Sequence, residues 1–257
     1  MILQYNFSVI LELLRSSYFE ELFHIFLEVS ANIDTYGLNQ YMELNVKITE
    51  EILKNKEIVP EEKHYFLTQL FGFWNDKIFL SLLNAPDTIK VKAIYLLSKI
   101  IYIKPEKIYQ LEEQLESNDF FQIEQFPFMK LVQKILYLLQ NGSFIVQTKI
   151  ISFLKISISF ASEQYLLFLL NQNIISSFIS IIQAEDEKIV LKVFHIFQLI
   201  IGKRKNHADI TPLLLSQIEQ FNFNEALNEI IELSENSRIN ATVSHVLNSI
   251  AELENQI

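Results

Sequence analysis

The feature that most constrains this chain is a helical unit that recurs in altered form. Residues 89–101, 146–158, 189–201 and 239–251 can be laid over one another. Each opens on a β-branched anchor (Ile89, Val146, Ile189, Ile239) and carries apolar residues at three- and four-residue spacing, the pattern of an amphipathic helix. Short polar turns precede them: Asp87-Thr88, Asn141-Gly142-Ser143, Glu185-Asp186-Glu187-Lys188 and Asn236-Ser237-Arg238. A unit of this size cannot bury its apolar side alone, so it must stack on its neighbours. The 4 glycines and 5 prolines are too few for the many turns of a sandwich or barrel, which leaves an all-α fold.

The anchors lie 57, 43 and 50 residues apart. Periods near ~40–47 residues mark armadillo and HEAT arrays. The expected fold is therefore all-α, a right-handed armadillo/HEAT-type α-solenoid superhelix. It is expected to run over 1–257 as a single array, with irregular N-terminal helices over 1–75 and recognisable repeats over 76–257. Within 1–36 the spacing predicts two amphipathic helices, one carrying Val9, Ile10, Leu13 and Leu14, the other Phe19, Leu22, Phe23 and Phe26. Gly37 is expected to stop the second. A helix over 38–54 follows, then one over 60–73 that opens on Pro60 and is a shorter fifth copy of the unit, anchored at Val59. Lys104-Pro105-Glu106 opens a helix over 106–115, and 117–125 reads as a longer connection. The stretch 202–207 reads as a basic loop.

Composition narrows the function. An apolar fraction of 50% is ample for a long core. The chain has no cysteine, which excludes disulfides, thiolate catalysis and zinc–thiolate sites and fits a reducing compartment. The start of the chain lacks the positive segment of a secretory signal, and no apolar run reaches the ~18 residues that span a bilayer. The expectation is a soluble protein without membrane insertion, cytoplasmic, nuclear or both. A net charge of −10 disfavours nucleic acid as a partner and favours a protein or extended peptide of basic character. Acids that merely keep the array soluble are the plainer reading of the same number.

No catalytic residue, metal site or cofactor is expected. The histidines are His24, His64, His195, His207 and His245, without metal-binding spacing, and no glycine-rich loop or nucleophile elbow is present. His24, beside Phe23 and Phe26, suits a core. His195 and His245 occupy equivalent places in their units, facing a groove or its boundary.

Residues 143–253 carry a family resemblance. The sequence runs through Gln147-Thr148-Lys149, Asn173-Ile174-Ile175-Ser176-Ser177-Phe178-Ile179 and Ala184-Glu185-Asp186-Glu187-Lys188-Ile189 to Ala226-Leu227-Asn228-Glu229-Ile230-Ile231-Glu232-Leu233. This resembles the C-terminal end of importin-α, the armadillo adaptor of nuclear protein import. Residues 79–100 resemble a middle repeat of that family. In importin-α the inner helices carry a tryptophan and, four residues later, an asparagine on the same helix face. The amide clamps an extended localisation peptide, and the indoles flank its lysine stems. The resemblance puts these slots at Tyr65 and Gln69, Tyr95 and Lys99, Ser152 and Ile156, and His195 and Leu199. None of them is the tryptophan–asparagine pair, and the only tryptophan, Trp74, lies outside them.

The resemblance thus implies a non-enzymatic protein-binding adaptor of the importin-α kind, with a degenerate localisation-signal groove at those residues. Lys99 would repel a lysine-rich ligand, and residues 1–46 hold a single basic residue, Arg15, where the family has a basic segment. These departures suggest an alternative: a structural armadillo-repeat subunit of a larger multiprotein assembly.

Overall fold

The computed structural model describes Glu12 and residues 35–56, 58–59, 62–63, 85–103, 127–183, 186–203 and 210–255. Among the described residues the regular structure is helical, with no strand. The chain divides into two compact units, Met1–Lys104 and Pro105–Ile257. Most of the segments expected to be helical over 1–36, 60–73 and 106–115, and all of the connection 117–125, lie outside the described residues.

In the first unit two long helices lie against one another: α1, Thr35–Lys54, and α2, Asp87–Ile103. The expected stop at Gly37 is corrected, because α1 begins at Thr35 and runs through it. The glycine has no positive φ, and in the first turn its helix penalty is small. Met42, Asn45, Ile48, Thr49 and Ile52 form the buried stripe of α1. Lys63 Nζ donates to the Leu53 carbonyl at 3.1 Å, which satisfies one of the orphan acceptors in the last turn.

The second unit is built of α3 (Pro127–Asn141), α4 (Phe144–Ser159), α5 (Glu163–Asn171), α6 (Ile174–Ile182), α7 (Glu187–Lys203), α8 (Ile210–Gln220), α9 (Phe223–Leu233) and α10 (Ser237–Glu254). Two of the polar turns read in the sequence supply side-chain caps. Asp186 Oδ1 accepts from the Ile189 amide at 3.0 Å, and Asn236 Oδ1 accepts from Arg238 at 2.9 Å and Ile239 at 3.3 Å. Ser162 Oγ does the same for Tyr165 at 3.1 Å. The turns into α6 and α9 share a second device. Asn173 and Asn222 are both left-handed, with φ of 55° and 50°, a conformation that asparagine tolerates better than most residues.

Contacts in this unit repeat every third helix. α4 packs on α7 and α7 on α10; α3 packs on α6 and α6 on α9; α5 packs on α8. Each of the triplets α5–α6–α7 and α8–α9–α10 is also packed within itself. Polar ties cross between the columns' members. Gln140 Nε2 donates to Ser177 Oγ at 3.1 Å between α3 and α6, Lys192 Nζ donates to Ser152 Oγ at 3.1 Å between α4 and α7, and the Gln217 amide donates to the Leu170 carbonyl between α5 and α8. Phe197 of α7 stacks on Phe223 of α9, with centroids 4.6 Å apart and both rings fully buried.

Among the described residues no single helix is long and apolar enough to cross a membrane. The most apolar pair, α5 and α6, bends by 66° at Gln172-Asn173 and lies in the core through Tyr165, Leu166, Ile175 and Phe178.

Candidate protein-binding face

Counted from the anchor, the residues at the start and at four and seven positions on are buried in all of α2, α4, α7 and α10. They are Ile89, Ala93 and Leu96; Val146, Ile150 and Phe153; Ile189, Val193 and Ile196; Ile239, Val243 and Val246. At about 100° per residue these share one side of each helix. The third, sixth and tenth positions cluster about a quarter-turn round from it, on the flank of the buried side. The slots expected for peptide binding are the sixth and tenth. The repeat register read from the sequence puts the described candidate residues on a common flank of their helices, where they are half-buried except for the exposed His195.

What lies alongside those positions differs between the units. Tyr65 and Gln69 lie outside the described residues. In the first unit Tyr95 is half-buried, and its hydroxyl donates to Glu50 Oε1 at 3.4 Å. Burial first, and then the Glu50 carboxylate, push this phenol above its ordinary 10.0. Lys99 Nζ sits 5.2 Å from the centre of the Tyr95 ring, a cation–π contact. Lys92, at the third position, donates to Glu43 Oε1 at 2.7 Å and to Asn39 Oδ1 at 3.1 Å. That hydrogen bond and charge hold the Glu43 carboxyl below its ordinary 4.5. Tyr95 and Lys99 do meet, but α1 occupies the positions beside them.

In the second unit Ser152, Ile156 and Leu199 are half-buried and His195 is exposed. Ser152 Oγ receives the Lys192 ammonium and donates to the Thr148 carbonyl at 3.1 Å. Partial burial, then the charge of Lys155, lower the His195 imidazole from its ordinary 6.5. His245, the sixth position of α10, is exposed, with Nδ1 3.5 Å from Gln198 Nε2 and 3.4 Å from Ser249 Oγ. Ser249 is itself the tenth position. The open row thus continues onto α10 in the same register.

The sequence reading missed the lysines of this row. Lys92, Lys149 and Lys192 all stand three residues after an anchor, a recurrence visible in the sequence once the anchors are aligned. Neither the amides nor the aromatic walls of a localisation-peptide groove appear at the described slots of the second unit. Among the described residues no group of His, Asp or Glu could hold a metal ion.

Neither a protein-family model nor a curated protein sequence matches the chain.

Proposed function

We propose that this chain is a non-enzymatic adaptor that holds an extended protein segment along the open sides of α4, α7 and α10. The supporting observation is the alignment of those three helices. Each packs on the next, and the third, sixth and tenth positions of the three helices are exposed or half-buried. We read the triplets as armadillo-type repeats and their stacking as a right-handed superhelix, in which such a row lines the inner wall. The resemblance to importin-α points the same way, and nuclear import of cargo is the version of the adaptor that it implies.

A photo-crosslinking side chain at His195 tests the reading against one at Glu229, an exposed residue of α9. In extract of the source cells, His195 is expected to capture a protein that Glu229 does not. Equal capture at both, or none at either, would end the adaptor reading. Pull-down with basic localisation peptides tests the import version, and no binding at micromolar peptide would dispose of it.

A second reading has its own support. Tyr137, Phe144 and Ile145 are 58%, 46% and 57% exposed around the α3–α4 turn, an apolar cluster suited to a permanent neighbour in an assembly. A soluble, cooperatively unfolding monomer of the isolated chain would count against that reading.

A further inference from the structure

The chain as a whole carries −10, yet the open row of its second unit carries the opposite sign. Lys149 and Lys192 stand at the third positions of α4 and α7, and Lys188 and Arg238 just precede the anchors of α7 and α10. No carboxylate occupies the third, sixth or tenth position of any of these helices. Glu187 and Glu252 lie beside the row near helix ends, and Glu219, Glu225, Glu229 and Glu232 are carried by α8 and α9.

The first unit displays what such a row takes up. There the third-position lysine, Lys92, is met by the Glu43 carboxylate at 2.7 Å, and the sixth-position Tyr95 by Glu50 at 3.4 Å. The contacts advance along α1 and α2 in the same sense. In the second unit the equivalent Lys192 meets only the neutral Ser152 hydroxyl, and among the described residues no carboxylate pairs with Lys149, Lys155 or Lys192. Lys155 instead stands close enough to His195 to oppose its protonation. Apolar side chains alternate with these cations: Ile145 is 57% exposed, and Ile156 and Leu199 are half-buried.

We infer that the face of α4 and α7 binds an extended acidic segment of a partner protein. Its carboxylates meet Lys149, Lys155 and Lys192, and its apolar residues lie over Ile145, Ile156 and Leu199. The inference rests on the adaptor reading and adds the charge of the ligand. The expectation of a basic partner came from the charge of the whole chain. Over the ~8–10 Å across which charges act at physiological salt, the local charge governs. A nucleic acid would find phosphate contacts here, but the slots of α4 and α7 offer a single ring on which a base could stack, the His195 imidazole, and no phenol or indole.

The test is fluorescence anisotropy on the full chain with three labelled probes: a glutamate–leucine peptide, its lysine–leucine counterpart and oligouridine. The acidic peptide is expected to bind saturably and to weaken as salt rises. Lys149→Glu with Lys192→Glu should weaken it roughly tenfold or more, while Glu229→Lys leaves it unchanged. If the reversed variant loses its helical circular dichroism, Lys149→Gln with Lys192→Gln takes its place, and a smaller loss of the same kind is expected. Preference for the lysine peptide, tighter binding of oligouridine, indifference to both lysine variants, or no saturable binding would each overturn the inference. The adaptor reading is judged separately, by the contrast between His195 and Glu229 crosslinks.

Discussion

Helix α2 of the first unit and helices α4 and α7 of the second bury the same positions, yet they present different surfaces. In α2 the third and sixth positions are engaged by Glu43 and Glu50 of α1. In α4 and α7 the corresponding residues are lysine, serine and histidine, with Lys149 and His195 exposed and Ser152 and Lys192 half-buried and bonded to each other. A shared apolar register therefore dictates which side of a helix goes inward and is silent on what covers the other side. Burial is set by many equivalent dispersion and hydrophobic contacts, so it tolerates divergence. A polar row is set by one or two specific partners and changes with them.

The comparison can be broken most decisively at the buried eighth position. Leu97 and Phe197 occupy it in α2 and α7, and each is at most 2% exposed. Leu97→Ala should cost about 2–5 kcal/mol and Phe197→Ala about 3–5 kcal/mol in denaturant unfolding. A negligible loss at either would show that the shared register is not a shared core. Openness of the second unit's row is probed at Gly202, where an added methyl would meet nothing within 4 Å. Gly202→Ala should stabilise by about 0.5–1 kcal/mol, and destabilisation would mean that something covers that side of α7.

Two smaller effects concern charge. Glu43 is held ionised by Lys92, so the stability it contributes is present above its ordinary 4.5 and is lost as pH falls through the lowered native value. Lys92→Met should flatten the acid limb of a stability–pH curve, whereas Lys192→Met should leave it unchanged. Equal effects of the two would erase the distinction between the units. His195 is lowered too, with the same consequence by a different cause, burial of the imidazole and then the charge of Lys155. Its neutral form is favoured in the native state, so its contribution is present above its ordinary 6.5 and is lost as pH falls through the lowered value. Lys155→Met should move the His195 imidazole titration, followed by NMR, back toward 6.5, because one of its two causes is removed. No movement would put Lys155 away from the row.

Much of the helical organisation was legible in the sequence. The helices expected over 89–101, 146–158, 189–201 and 239–251 are all present, each extended by one to three residues at either end, with Asp186 and Asn236 capping two of them. Apolar periodicity is a local signal and survives divergence. Gly37 was misread because a glycine can end a helix or sit in its first turn, and only the surrounding contacts choose. The short helices α5, α6, α8 and α9 were harder to delimit. Their turns are made by left-handed Asn173 and Asn222 rather than by glycine, so the usual punctuation is missing. Of the candidate site, Tyr95, Ser152 and His195 could be placed on one side of their helices from spacing alone. That Glu50 holds Tyr95, or that Lys192 reaches Ser152, could not.

By itself the sequence determined that this chain is helical, where four of its long helices lie and which side of each turns inward, because those properties follow from residues three and four apart. Tertiary structure alone decided that α1 lies against α2 and which polar side chains meet between α4 and α7. It also left Lys149 and Lys192, on a chain of negative net charge, without a carboxylate partner among the described residues. Those outcomes depend on residues 40 or more positions apart, whose pairing leaves no periodic trace in the chain.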